Sequence, residues 1–321
     1  MTDAGNTPEP AGQVSDAVRG NWVDHAAPEW TRPYLRLSRA DRPIGTWLLL
    51  LPCWWGLFLS ALSQNRFGWD GAWILIACAA GSWLMRGAGC TWNDITDRKF
   101  DSQVERTRSR PIPSGQVSTK QAAVWMVAQA LIAFLILLTL NINAILLGFL
   151  SLVPVAIYPF AKRYTYWPQA FLGIAFNWGA LLAWTAHSGS LGWPAVVLYL
   201  SGLAWTLFYD TIYAHQDKED DVMIGVKSTA LLFGAETPKW MKRFLVATLL
   251  LMLAAILLAT SERNLLSLVV AVGGAWAFGW HLVWQLQKLD IDDSDGLLAL
   301  FRANRNAGLI PVLFFLVALF I

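Results

Sequence analysis

Charge is what this chain has least of. Only 14% of its 321 residues are Asp, Glu, Lys or Arg, against 56% hydrophobic residues, whereas a soluble domain carries about 25% charged residues. That shortage excludes water as the main solvent and points to the bilayer. Net charge is also small, +2, which excludes a general nucleic-acid binder. Cysteine is scarce: Cys53, Cys78 and Cys90 are odd in number, lie in or beside apolar runs and lack metal-ligand spacing. They are read as small hydrophobes, silent about redox compartment. The first thirty residues lack the basic start and apolar stretch of a secretory signal, and are too acidic and Arg-poor for a transit peptide. A mobile cytoplasmic tail over 1–30 is therefore expected ahead of a membrane-embedded domain over 31–321, with Trp30, Arg32, Arg36, Arg39 and Arg42 as an interfacial anchor.

What is abundant is apolar sequence. A spanning helix needs about 20 mainly apolar residues, and such runs lie near Ile44 to Leu62, Ala72 to Trp92, Gln121 to Leu140, Ile145 to Phe160, Pro168 to His187, Pro194 to Tyr213, Phe244 to Ala259, Leu265 to Trp284 and Gly308 to Ile321. The expected fold is all-α, a polytopic bundle of about nine transmembrane helices. Lys and Arg collect in alternate loops, including Arg98 to Lys120, Lys162 and Arg163, Lys218 to Arg243, and Lys288 to Arg305, while the opposite loops hold only Arg66 and Arg263. The positive-inside rule makes the basic loops and the amino terminus cytoplasmic and, with an odd helix count, puts the carboxyl terminus outside. Two of the cytoplasmic segments are long, Asn93 to Lys120 and Tyr213 to Lys242. Function is expected there, in a polar cap.

Each long segment opens where an apolar helix runs into spaced acids, a faint internal repeat. The first reads NDITDRKFD, with Asn93, Asp94, Asp97 and Asp101, and the second YDTIYAHQDKEDD, with Asp210, Asp217, Glu219, Asp220 and Asp221. On a helix the four residues of the first cluster share one broad face, and so do Asp210, Asp217 and Asp221. Stacked like charges destabilise a helix unless a multivalent cation neutralises them. Hard oxygen donors without nearby His or Cys favour Mg²⁺, which typically takes one or two carboxylates plus substrate phosphate oxygens. Two such clusters facing one another would hold a diphosphate. Solvated loop acids are the bland alternative, but carboxylates at the membrane interface are costly unless paired or functional.

At these residues the chain resembles the UbiA superfamily of intramembrane prenyltransferases, whose signatures are NDxxDxxxD and a second motif of the form DxxxD or YxxxDxxD. The stretches RADRPIGTWLLLLPCWWG, MRGAGCTWNDITDRKFD, RTRSRPIPSG, YPFAKRYTYWPQAFLGIAFNWG, DTIYAHQDKEDDVMIGVKST and FRANRNAGL look like those of its 4-hydroxybenzoate branch. The resemblance implies a helical bundle with a cavity opening sideways to lipid, in a bacterial inner membrane. It implies transfer of a polyprenyl chain from polyprenyl diphosphate to the 4-hydroxybenzoate ring, ortho to the hydroxyl, in ubiquinone biosynthesis. By the same resemblance Asn93, Asp94, Asp97 and Asp101 bind Mg²⁺ and diphosphate, Asp217 and Asp221 do so from the second motif, and Asp210 matches that motif's start. His215 and Gln216 receive no role.

Chemistry adds candidates. Diphosphate departure calls for cationic help, for which Tyr158 and Lys162, one helical turn apart, and Lys227 are chosen. Lys162 and Arg163 would alternatively be flanking residues of a span. The allylic cation left behind needs exclusion of water and electron-rich rings, but any single ring here serves packing as readily, so none is named. An acceptor carboxylate needs a cationic partner: Arg42, and Arg86, whose place deep in an apolar run makes it a functional candidate. Arg106, Arg108 and Arg110 would cover the site or bind lipid headgroups. Asn177 and Asn304 are read as interhelical hydrogen-bonders. Other acceptors within the family, such as haem, a chlorophyll precursor or a naphthoate, form one alternative. A cation-coupled transporter is the other, though its ion sites would lie near the midplane.

Overall fold

A computed structural model describes residues 14, 17, 18, 20–105 and 107–321, without the side chains of 220 and 224. Arg106 lies outside the described residues. Among them there is no strand, and nine helices have 19 or more residues. These are α1 (Ile44–Gln64), α2 (Trp69–Asp101), α3 (Thr119–Leu137), α4 (Ile142–Tyr164), α5 (Pro168–Ser188), α6 (Trp193–Ala214), α7 (Thr237–Ala259), α8 (Leu265–Gln287) and α9 (Ser294–Leu319). Eight candidate spans are long and apolar enough to cross a membrane, so the protein is a multi-pass membrane protein. The remaining long helix, α5, has the length but buries Gln169, Asn177, Thr185 and His187. At 1.5 Å per residue the 33 residues of α2 measure about 50 Å, longer than a hydrocarbon core of about 30 Å.

Local chemistry sets the ends. Asn141, Asn264 and Asp293 cap α4, α8 and α9, their side chains accepting from the backbone N–H of Ala144, Ser267 and Gly296. The Asp293 cap starts α9 well before Gly308, so FRANRNAGL is helical. Gly189, at φ 86°, closes α5 with the left-handed residue a helix end favours.

The chain forms two units: Met1–Gly45 with Leu84–Ile132, and Thr46–Trp83 with Ala133–Ile321. In the first, Leu37, Val117 and Ala122 form a small apolar centre, packed by Tyr34, Ile95, Ile112 and Trp125. Polar side chains stitch it together. Trp125 Nε1 donates to Ser38 Oγ at 2.9 Å, and Ser38 Oγ to Gln129 Oε1 at 3.0 Å. Gly87 leaves these side chains room, since a Cβ there would stand 2.0 Å from Gln129 Oε1.

The expected anchor differs from this structure. Residues Trp22–His25 form a helical turn capped by Asn21. Val23 is buried, and Asp24 accepts a 2.8 Å bond from Arg36. Arg36 and Arg39 are buried rather than interfacial, since each has a carboxylate partner that compensates its burial.

In the second unit α4 packs on α5, α5 on α6, α6 on α7, α7 on α8, α8 on α9, and α9 returns to α6. Helices α1, α2 and α5 share a core of Leu50, Cys53, Leu57, Ile74, Cys78 and Ala183. Close approach of α1 and α5 rests on two glycines. A Cβ on Gly56 would lie 2.3 Å from the Ala180 carbonyl oxygen, and one on Gly179 would lie 2.2 Å from Cys53 Sγ. Deep inside, Trp55 Nε1 donates to the Gly308 carbonyl at 2.7 Å and Trp205 Nε1 to Asn304 Oδ1 at 2.9 Å. Asn304 Nδ2 in turn donates to Gln285 Oε1 at 3.0 Å. Asn177 donates to Gly173 O and Thr206 Oγ1, both at 2.8 Å. Both asparagines thus serve helix packing, as their setting implied. Leu146, Phe149, Leu150 and Val153 on α4, with Trp276 and Trp280 on α8, are exposed, as side chains facing lipid would be.

Candidate active site

The first acidic cluster closes α2, so Asn93, Asp94, Asp97 and Asp101 are helical, as the spacing predicted. All three aspartates are buried, Asp94 completely. The charges of Asp94 and Asp101 are met by arginine. Arg39 grips Asp94 with two bonds, Nη2 to Oδ1 at 2.6 Å and Nη1 to Oδ2 at 3.0 Å. Arg110 Nη1 lies 3.0 Å from each oxygen of Asp101 and 3.6 Å from Asp94 Oδ1. The loop arginine expected to cover the site is therefore fixed on the acids themselves. Arg108 is exposed on the same loop.

The acceptor candidates Arg42 and Arg86 also belong to this first unit. Arg86 lies against the RPIG turn: a Cβ on Gly45 would be 2.5 Å from its Nη2. Arg42 Nε is 3.3 Å from Asp41 Oδ1. Asp41 is 1% exposed, and burial pushes its carboxyl up to about 6, opposed chiefly by the charge of Arg39. The turn thus collects three arginines and one hard-to-ionise acid, a setting suited to an anion.

The second cluster sits in the other unit and is built differently. Asp210 lies in the last turns of α6, but the helix stops at Ala214. A 3-10 turn, His215–Asp217, and a short helix, Lys218–Ile224, follow. The expectation that Asp210, Asp217 and Asp221 share one uninterrupted helical face is corrected here. Contacts distant in sequence hold the break: His215 Nε2 bonds Thr237 Oγ1 at 2.9 Å, and Gln216 Nε2 donates to the Ser294 carbonyl at 2.7 Å. Asp217 and Asp221 are half-buried.

Tyr158 and Lys162 are half-buried in the last turns of α4, which carries Lys162 and Arg163 at its carboxyl end. The Lys162 carbonyl accepts from the Lys227 N–H at 2.9 Å. Lys227 Nζ donates to the Tyr164 carbonyl at 3.2 Å and stands 5.4 Å from the Tyr166 ring centroid. The fold therefore brings these two lysines to one helix end and gives Lys227 a capping bond.

A family model, the UbiA prenyltransferase family, matches residues 49–304, more than half of the chain. This chain belongs to that family. It is 48% identical over 291 residues to the 4-hydroxybenzoate polyprenyltransferase, mitochondrial, of Bos taurus, covering 90% of this chain and 76% of that protein. It is 47% identical over 309 residues to the protein of that name from Homo sapiens, covering 95% and 80%. Among solved structures, a UbiA homologue from Aeropyrum pernix K1 superposes with a TM-score of 0.68 at 23% identity, covering 84% of this chain and 97% of that one. A UbiA homologue from Archaeoglobus fulgidus bound to GPP and Mg²⁺ gives 0.62 at 16% identity, covering 90% and 100%. These likenesses show the UbiA fold.

Within each unit the acids offer Mg²⁺ oxygen donors only. Among the described residues no three His, Cys, Asp or Glu side chains form a ready metal cage. Mg²⁺ does not need one, since it keeps waters and shares substrate phosphate oxygens. Arg39 is the residue the sequence reading missed at this site. The available signal was a carboxylate with no solvent, which demands a counter-charge, and an arginine-rich turn just ahead of α1.

Proposed function

We propose that this chain is a 4-hydroxybenzoate polyprenyltransferase of ubiquinone biosynthesis, and what carries the reading is 47–48% identity over nine-tenths or more of the chain to relatives of that name. The donor is a polyprenyl diphosphate. Its allylic carbon–oxygen bond breaks with departure of diphosphate, a carbon–carbon bond forms at ring position 3 beside the hydroxyl, and the proton from that ring carbon is lost.

Asn93, Asp97 and Asp101 of the first cluster and Asp217 and Asp221 of the second would bind the Mg²⁺–diphosphate, with Asp210 supporting the second set; Asp94, expected among these ligands, is engaged by Arg39. Bound Mg²⁺ supplies Lewis-acid stabilisation of the leaving group's charge. Tyr158 and Lys162 donate to diphosphate oxygens, and Lys227, tied to Lys162 through the main chain, adds a second cation beside them. Arg42 and Arg86 hold the acceptor's carboxylate and so turn its ring, a positioning role that a planar guanidinium suits. The prenyl chain lies in lipid-side apolar surface, away from water that would quench the cation.

The amino terminus and both clusters lie on the cytoplasmic side of a bacterial inner membrane, the side that the basic loops favour; the relatives above carry "mitochondrial" in their names. Incubation of purified protein with radiolabelled 4-hydroxybenzoate, a series of prenyl diphosphates and Mg²⁺ tests the activity. Product is expected with wild type and lost in Asp97→Ala and Asp217→Ala. No product at any chain length would overturn the assignment, and full rate in both variants would overturn the site.

A further inference from the structure

The Arg39–Asp94 pair has no task in the reaction above, yet it is deeply enclosed, with side chains 9% and 0% exposed. Each oxygen of Asp94 takes one N–H of Arg39, and Arg39 Nη1 also donates to the Arg36 carbonyl at 3.2 Å. The backbone of Arg39 is left-handed, at φ 58°, a conformation that disfavours any residue with a Cβ. Turn bonds hold it there: Arg39 N–H to Arg36 O at 3.1 Å, Ala40 N–H to Leu35 O at 3.0 Å and Arg42 N–H to Arg39 O at 3.1 Å. Glycine or asparagine would sit in that turn with less strain. An arginine there is explained by what its guanidinium reaches.

A divalent ion at Asp94 would have to take an oxygen from Arg39 and leave that guanidinium buried without its counter-charge, or else sit beside it and beside Arg110, 3.6 Å away. Both courses are costly; at Asp101 the bonds come from one nitrogen of a partly exposed loop arginine, Arg110, which an incoming ion can displace at less cost. We propose that Asp94 is not a ligand of the divalent ion but a positioning residue: clamped by Arg39, it fixes the acidic end of α2 so that Asn93, Asp97 and Asp101 meet the ion in a set orientation. This rests on the reading of Asp97 and Asp101 as ion ligands. It divides one motif into a part that binds and a part that aims.

The test uses the full chain in detergent with Mn²⁺ as probe, counting free Mn²⁺ by electron paramagnetic resonance, alongside melting temperature and turnover with Mg²⁺. In Asp94→Asn, Mn²⁺ affinity falls by less than in Asp97→Asn, while kcat falls by about tenfold or more because the ligands are misaimed. Asp97→Asn weakens Mn²⁺ by about tenfold or more. Arg39→Lys keeps Asp94 chemically intact and decides the matter even where Asp94→Asn fails to fold. A clamp predicts lower kcat with Mn²⁺ affinity equal to or weaker than that of wild type, whereas an ion-binding Asp94 released from its arginine would bind Mn²⁺ more tightly. Arg39→Gln combined with Asp94→Asn is expected to lose no more than either change alone. Mn²⁺ weakened in Asp94→Asn as much as in Asp97→Asn, or tightened in Arg39→Lys, overturns the proposal. Unchanged Mn²⁺ in Asp97→Asn instead overturns the ion-site reading itself.

Discussion

The two acidic clusters have similar composition and opposite construction. The first sits on one unbroken helix, with Asp94, Asp97 and Asp101 all buried and two arginines already bonded to its acids. The second is divided among the end of α6, a 3-10 turn and a seven-residue helix, with Asp217 and Asp221 only half-buried. A buried carboxylate needs its counter-charge built in, and that fixes its geometry. A half-solvated carboxylate on a short element is less constrained by burial. The difference teaches that burial and arginine bonds hold the first cluster in place, while the second sits on shorter, more exposed elements.

The largest effect expected is shared by both. Removing one ion ligand, Asp97→Ala or Asp217→Ala, lowers kcat/KM by about a hundred- to a thousandfold, the loss typical of one charge-stabilising group. Steady-state assays over a range of Mg²⁺ check this, and added Mg²⁺ should recover the Asp217 variant further than the Asp97 variant if the second cluster is the adaptable one.

Next in size is Asp41, beside the first cluster. Its carboxyl, at about 6 when folded and 3.8 in the reference state, binds more protons in the folded than in the unfolded protein between those values. Stability contributed by the protonated form is therefore lost as pH rises from about 4 to 6, on the order of 2 to 3 kcal/mol. Asp41→Asn should flatten that part of a melting-temperature profile and raise the melting temperature at neutral pH.

Thr237→Val tests the second cluster's scaffold. It leaves buried His215 without its 2.9 Å partner, which costs about 1–3 kcal/mol. Denaturation in detergent reports the loss, and KM for the prenyl diphosphate should rise with it because Asp217 follows His215 in the same turn. A matching KM change from a first-cluster scaffold change, Gln129→Leu, would erase the contrast.

Smallest is Lys227→Met, which removes the cation bonded to the Tyr164 carbonyl at the end of α4. A helix end of this kind is stabilised by about 0.3–1 kcal/mol, visible as a small fall in melting temperature. The diphosphate KM should rise with it.

The spans and the first cluster were legible because their signals are local. Apolar runs near 20 residues and acids spaced three and four apart are read along the chain, and the structure returns helices where they lie. The break after Ala214 was not legible, because residues from Thr237 and Ser294 create it. Arg39 was placed at the lipid surface because basic residues before a first span ordinarily belong there. Its burial depends on a left-handed turn and on Asp94, 55 positions away. Trp205, Asn304 and Gln285 likewise meet only once α6, α8 and α9 are packed.

The length of α2 carries one more consequence. A rod about 50 Å long outreaches the oily interior, so its last turns can stand where water begins while its middle remains among acyl tails. A greasy donor and a water-borne acid can then be brought to the same rod, each still in the medium that dissolves it.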